Sequence, residues 1–294
     1  MRVARPRLSF GSKTYVMGIL NVTPDSFSGD GLMSARDTVM AAVEQAQRFI
    51  EAGADILDIG GESTRPGSDP VNEQEELARV IPVIDAIRDS GETALTSIDA
   101  YKSTVAEAAL KHGADWINDV WGLHADPLMA RVAARYECPL ILMHNRSKPA
   151  NAEVQSRLGG RYVGVTYNDL LTDVKQELLE SVAIAHSAGV GDELIILDPG
   201  IGFGKTVEQN LELVNRLGEI KKMGYPVLLG ASRKSFIGYT LNLPPEERVE
   251  GTAAVCAVGI ARGADIIRVH DVPAMMRVVR MTDAIVRRRP TGHP

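Results

Sequence analysis

Short runs of Val, Ile and Leu alternate along this chain with longer stretches whose apolar positions fall three and four residues apart. The first pattern suits strands and the second amphipathic helices. Eight runs read as strands: Val16 to Leu20, Ile56 to Ile59, Ala94 to Ile98, Trp116 to Asp119, Leu140 to Met143, Leu194 to Leu197, Val227 to Leu229 and Ile266 to Val269. Each is too short for a helix and reads as apolar along its length, as expected of a parallel strand covered on both faces. Helical stretches lie between them, at Thr38 to Ala52, Glu73 to Arg88, Ser103 to His112, Asp126 to Tyr136, Asp169 to His186, Val207 to Lys222 and Gly251 to Ala261. Six of the seven helix-to-strand junctions hold a glycine just ahead of the strand (Gly53, Gly91, Gly113, Gly189, Gly224, Gly263), the residue that most readily ends a helix in the left-handed conformation. At the seventh, Cys138-Pro139, proline is expected to stop the helix.

Eight strand-helix units of roughly 37 residues, with no polar linker dividing them, predict a single (β/α)8 TIM barrel over residues 14–286, with a lead-in at 1–13 and a tail at 287–294. An open doubly wound sheet is the competing architecture. It is disfavoured because N-V-T-P-D-S-F follows the first strand where a glycine-rich dinucleotide loop would be needed. Residues 145–168 are polar and irregular, and read as an extended surface connection or as a lid over the barrel mouth.

The 294 residues suffice to bury a core without disulfides or a structural metal. With 32 basic against 38 acidic side chains and no basic block beyond Arg287-Arg288-Arg289, read as a solvated tail, nucleic acid is not an expected partner. No apolar run is long enough to span a membrane, so a cytoplasmic protein is expected. Cys138 and Cys256 lie far apart in apolar runs and read as buried, inert thiols.

Active sites of such barrels form at the carboxyl ends of the strands. The predicted strand ends carry Asn21, Gly60-Gly61-Glu62, Asp99, Asn118-Asp119, His144-Asn145, Asp198, Ser232-Arg233-Lys234 and His270-Asp271. Asn21 offers an amide oxygen suited to a hard cation such as Mg²⁺. Asp99, Asn118 and Asp198 repel anions and suit a heterocycle with an amidine edge, on which one carboxylate accepts two parallel N–H bonds. A carboxylate metal cluster or a structural network is the alternative reading of these three. Arg65 in S-T-R-P-G can clamp an anion, although a lone loop arginine is more often a surface residue. Lys234 can reach a carbonyl or ring nitrogen of the heterocycle, Ser235 can present a hydroxyl to a carboxylate, and Phe203 is a candidate aromatic wall. Arg268 and His270, two apart on one strand face, can act together on a pyrophosphate or stack on a ring.

Taken in order, N-V-T-P-D-S-F, D-I-G-G-E-S-T-R-P-G, S-I-D, I-N-D, L-M-H-N-R, L-D-P-G-I-G-F-G-K, A-S-R-K-S and R-V-H-D resemble the dihydropteroate synthase family, from about residue 14 to 286. The resemblance implies condensation of 6-hydroxymethyl-7,8-dihydropterin pyrophosphate with 4-aminobenzoate, giving 7,8-dihydropteroate and pyrophosphate. It also implies site roles. Asp99, Asn118, Asp198, Lys234 and Arg268 would hold the pterin, and Arg65, Arg268 and His270 the pyrophosphate. Phe27, Thr64, Pro66, Phe203 and Ser235 would line the 4-aminobenzoate pocket, and Asn21 would contact magnesium. Asp99, Lys234, Arg268 and His270 would be catalytic. Ala100 departs from the family, which more often has a hydroxyl residue there. A pterin-dependent methyltransferase and a non-catalytic pterin-binding paralogue are the competing functions, disfavoured by the intact S-T-R-P-G and S-R-K-S segments. The last two helices hold apolar residues enough for a homodimer face.

Overall fold

The computed structural model describes residues 8–23, 35–63, 68–92 and 94–287. The expected alternation is present throughout them. β1 (Tyr15–Asn21), α1 (Ala35–Glu51), β2 (Ile56–Gly60), α2 (Glu73–Asp89), β3 (Leu95–Asp99), α3 (Ser103–Lys111), β4 (Trp116–Asp119), α4 (Met129–Tyr136) and β5 (Leu140–Met143) form the first part of the chain. A two-stranded hairpin, β6 (Ala152–Gln155) and β7 (Gly159–Tyr162), interrupts the series. It resumes with α5 (Leu170–Ser187), β8 (Ile195–Asp198), α6 (Val207–Asn215), α7 (Leu217–Lys221), β9 (Leu228–Leu229), α8 (Ser235–Leu241), α9 (Val249–Ala261), β10 (Ile266–Val269) and α10 (Val272–Val286).

The eight principal strands run parallel in the order β8-β5-β4-β3-β2-β1-β10-β9. An isolated parallel bridge between Leu197 and Val227 joins the first to the last and closes the cylinder. Side chains two apart on a strand share a face, and the apolar ones accordingly divide into two clusters. Tyr15, Met17, Ile56, Leu95, Trp116, Ile141, Ile196, Leu228 and Ile266 fill the inside of the barrel, with Leu8 and Phe10 packed beneath them. Their outward neighbours, such as Val16, Leu57, Ile98, Ile117, Leu142, Leu197 and Val269, pack against the helices in one continuous shell. The barrel core is thus a filled interior, and the lead-in plugs its amino end.

The six predicted glycine caps have φ between 79° and 107°. Four expectations need correction. At the seventh junction the left-handed residue is Glu137 (φ 47°), so the helix has already ended before Pro139 restricts the chain. The stretch predicted as one helix from Val207 to Lys222 breaks at Arg216. The 145–168 segment is not irregular throughout, since it holds the hairpin, whose base is closed by reciprocal bonds between Asn151 and Val163. Arg287 does not lie in a solvated tail: its guanidinium pairs with Asp283 and donates to the carbonyls of Gly11 and Ala264. Arg288 and Arg289 lie outside the described residues. Both cysteines are buried and unbridged, and burial pushes the Cys256 thiol up to about 12. No helix among the described residues is long and apolar enough to cross a membrane.

Candidate active site

One or two steps beyond the apolar interior, the inward positions of six of the eight strands become polar. Met17 and Ile19 lead to Asn21, Ile56 to Asp58, Leu95 and Ser97 to Asp99, Trp116 to Asn118, Ile196 to Asp198, and Ile266 to Arg268. All lie toward the carboxyl ends of the strands, where two of the carboxylates share a single guanidinium. Arg268 donates through Nε to Asp58 Oδ2 at 2.5 Å and through Nη2 to Asp99 Oδ2 at 2.5 Å. The same Asp58 oxygen accepts from Asn118 Nδ2 at 3.0 Å, while Asp58 Oδ1 is buried with no hydrogen-bond partner among the described residues.

One guanidinium serves two carboxylates, and the imbalance falls on Asp99. Burial pushes its carboxyl up to about 7, Arg268 opposes the shift, and the neighbouring charge of Asp58 adds to it. For Arg268, burial works against the charge, but Asp58 and Asp99 outweigh it and hold the group firmly protonated. Asp198 is buried on the opposite side of the mouth, where its Oδ1 accepts from Gly200 N at 2.7 Å. Burial raises its pKa against the pull of Lys234. The Lys234 ammonium donates to the Ile201 carbonyl and lies 4.6 Å from the centre of the Phe203 ring, a cation-π contact. Burial lowers it to about 8, with Asp198 opposing and Arg268 reinforcing.

The remaining expected residues fall around this centre. His270 stands on the face of β10 that carries Arg268, with its backbone N donating to Ser232 Oγ (3.2 Å) and its Nδ1 3.1 Å from the same oxygen. Asn21 ends β1 beside Gly60, where a Cβ would lie 3.8 Å from its Oδ1 and 3.4 Å from the Cβ of Asp99. Ser235 opens α8, half-buried, close to Gly159 of the hairpin. Ala100 is buried, and its amide donates to the Asn118 carbonyl at 3.2 Å. Phe27, Thr64, Arg65 and Pro66 lie outside the described residues. The chain leading into 64–67 is anchored: Arg79 donates to the Gly61 carbonyl at 2.7 Å, and Lys102 bonds both Glu62 and Glu76.

The structure adds residues that the sequence reading passed over. Asp58 interrupts a run read as apolar, although its position two before Gly60 gives it the inward face. Lys205, also buried, donates to the carbonyls of Gly200 and Phe203, both at 2.9 Å, and lies 2.8 Å from His144 Nδ1. It therefore pins the loop that presents Phe203 and the Ile201 carbonyl. Burial, reinforced by Lys205 and opposed by Glu177, lowers His144 to about 4. Gly200, at φ 70°, permits this fold of the loop, because a Cβ there would fall 1.8 Å from the His144 carbonyl oxygen. Asp119 faces outward and accepts from the amides of Trp121 and Leu123, so it shapes the β4 loop and does not join the site.

Carboxylates, amides and cations thus converge at the mouth of one TIM barrel, at the strand ends where barrel enzymes place their active sites. The pterin binding enzyme family matches residues 17–270. A dihydropteroate synthase of Clostridium beijerinckii is 51% identical over 98% of this chain and 100% of its own length. Among solved structures, a dihydropteroate synthase of Clostridium difficile determined in the presence of pteroic acid shares 47% identity at a TM-score of 0.87, covering 96% of this chain and 100% of that one. The Xanthomonas albilineans dihydropteroate synthase with 4-aminobenzoic acid shares 40% identity at a TM-score of 0.82, covering 93% of each chain. The chain belongs to the pterin-binding enzymes and, among them, to the dihydropteroate synthases, which are transferases.

Proposed function

We propose that the mouth of this barrel joins 6-hydroxymethyl-7,8-dihydropterin pyrophosphate to 4-aminobenzoate, with the residues assigned as follows. The observation that carries the assignment is the convergence of Asp58, Asp99, Asn118 and Asp198 with Arg268 and Lys234 at one set of strand ends. Asp198 accepts paired N–H bonds from the amidine edge of the pterin, and Asn118 supplies complementary amide groups. Lys234 turns from the Ile201 carbonyl to a carbonyl or ring nitrogen of the same ring. Arg268, fixed by Asp58, stacks on the pterin face.

In the reaction the bond between the pterin methylene carbon and the pyrophosphate oxygen loosens, and its electron pair leaves with pyrophosphate. Arg65, Arg268 and His270 stabilise that departing charge, while Asp99 offsets positive charge growing on the pterin side. The aryl amine nitrogen then forms the new C–N bond and releases a proton. Being neutral at pH 7, it needs no strong general base. Phe27, Thr64, Pro66, Phe203 and Ser235 are assigned to the 4-aminobenzoate pocket, Ser235 to its carboxylate.

The donor set fits magnesium. Mg²⁺ takes one or two protein oxygens and completes its shell with water and substrate phosphate. Asn21 offers one amide oxygen at the mouth, near the Asp99 carboxylate across Gly60. When bound there, Mg²⁺ would neutralise charge on the pyrophosphate. Buried free thiols support a reducing cytoplasmic setting. The exposed Val258 of α9 and Met281 and Ile285 of α10 favour a homodimer.

The test is pyrophosphate release from the pterin substrate with Mg²⁺, measured with and without 4-aminobenzoate. Release that depends on the amine is expected. Binding without turnover would point to a non-catalytic paralogue and overturn the assignment, as would neither binding nor turnover.

A further inference from the structure

Lys234 and Ser235 contribute to the site from a single turn between β9 and α8, and the residue before them has an unusual backbone. Arg233 has φ 55°, the left-handed region that a side chain other than glycine enters only when its surroundings impose it. Its peptide is held from both sides. Its N–H donates to Thr252 Oγ1 at 3.0 Å, and its carbonyl accepts from Arg248 Nη1 at 2.9 Å. The two holding residues stand four apart at the start of α9, Thr252 N donating to the Arg248 carbonyl at 2.8 Å. The Arg233 side chain is fastened separately, to Asp271.

Arg248 is an unusual buried cation. Only 2% of it is exposed, and no carboxylate pairs with it among the described residues. Its partners are main-chain carbonyls from three segments: Arg233 in the turn, Leu243 after α8, and Leu158 at the tip of the hairpin. Gly238 in α8 makes room for it, since a Cβ there would lie 2.1 Å from Nη2. Filling this space would need only an apolar side chain. Burying a charge against carbonyls of three segments fixes their relative positions instead.

We propose that Thr252 and Arg248 form a positioning clamp that holds the Arg233 peptide in its left-handed turn, and so aims Lys234 into the barrel and Ser235 at its mouth. The clamp touches neither substrate. It acts through the turn, and it rests on the assignment of Lys234 and Ser235 to the site.

Thr252→Val, nearly the same shape without the hydroxyl, is the decisive variant, with Thr252→Ser as the conservative control and Lys234→Met as the control for the site. In steady-state assays on the full chain, Thr252→Val should lower kcat/KM for 4-aminobenzoate at least ten-fold, mainly through KM. Thr252→Ser should stay within two-fold of the parent, with thermal midpoints of the two variants within a few degrees. Arg248→Lys, which keeps the charge but cannot span three segments, should raise the same KM. Thr252→Val kinetics within two-fold of the parent, or equal impairment by Val and Ser, would overturn the clamp while leaving the site standing. An unimpaired Lys234→Met would overturn the site assignment itself, and the clamp with it.

Discussion

The lower and upper halves of the barrel interior are made by the same strands, two residues apart, yet they do opposite things. Below, Met17, Ile56, Ile141, Ile196 and Ile266 fill the cylinder with side chains no more than 2% exposed. Above, Asp58, Asp99, Asn118, Asp198 and Arg268 fill it with charge and amides that depend on one another for compensation. The lower half is stabilised by removal of apolar surface from water, which is local and tolerant of pairing errors. The upper half keeps carboxylates out of water against their desolvation, and leaves Asp58 Oδ1 unpartnered among the described residues. A barrel strand can therefore change from fold-maker to site-maker in one step of its two-residue period.

Removing the central cation tests this division most severely. Arg268→Met leaves two buried carboxylates without compensation, and should reduce turnover at least about a thousand-fold while costing about 3–5 kcal/mol of stability at pH 8.5. The stability loss should shrink at pH 5.5. Asp99 already has a raised pKa, and a carboxyl raised in the folded state favours folding at low pH and disfavours it as pH rises through about 7. Urea unfolding at both pH values checks this, and an equal loss at each would refute the charge argument.

Ile56→Ala, one step lower on the strand that bears Asp58, should cost about 2–5 kcal/mol and leave both KM values within two-fold. A changed KM with little loss of stability would mean that the two halves are not separable. Asp198→Asn should do the reverse, weakening pterin binding at least ten-fold, about 1.4 kcal/mol, with little change in thermal midpoint. Calorimetry showing unaltered affinity would remove Asp198 from the site.

The outer framework was readable because strands buried on both faces spell themselves as apolar runs, and because helix-ending glycines punctuate them. Boundaries moved by up to three residues, as at the starts of α1 and α4, and the barrel itself followed from the count and spacing. Buried charges were harder to read. Asp58 looks like a break in a strand until it is known to meet Arg268, 210 positions away. Lys205 and Arg248 look like surface residues, because nothing nearby in sequence shows that main-chain carbonyls will surround them. The hairpin escaped for a related reason. Ala-Glu-Val-Gln alternates over only four largely exposed residues and Gly-Gly-Arg-Tyr does not alternate, so the pair is fixed by contacts such as Tyr239 Oη to the Gly159 carbonyl and Arg248 to the Leu158 carbonyl.

The cylinder is stitched unevenly. β1 and β2 are paired over five positions, whereas β8 and β9 meet through the single Leu197–Val227 bridge, where Leu197 N donates to the Pro226 carbonyl at 2.9 Å. Asp198 stands on one lip of that seam, and the turn to Lys234 leaves from the other. On the proposed assignment, a flat ring gripped by both side chains would span the gap as a rivet, and the barrel would be more nearly a closed ring of bonds with its substrate than without it.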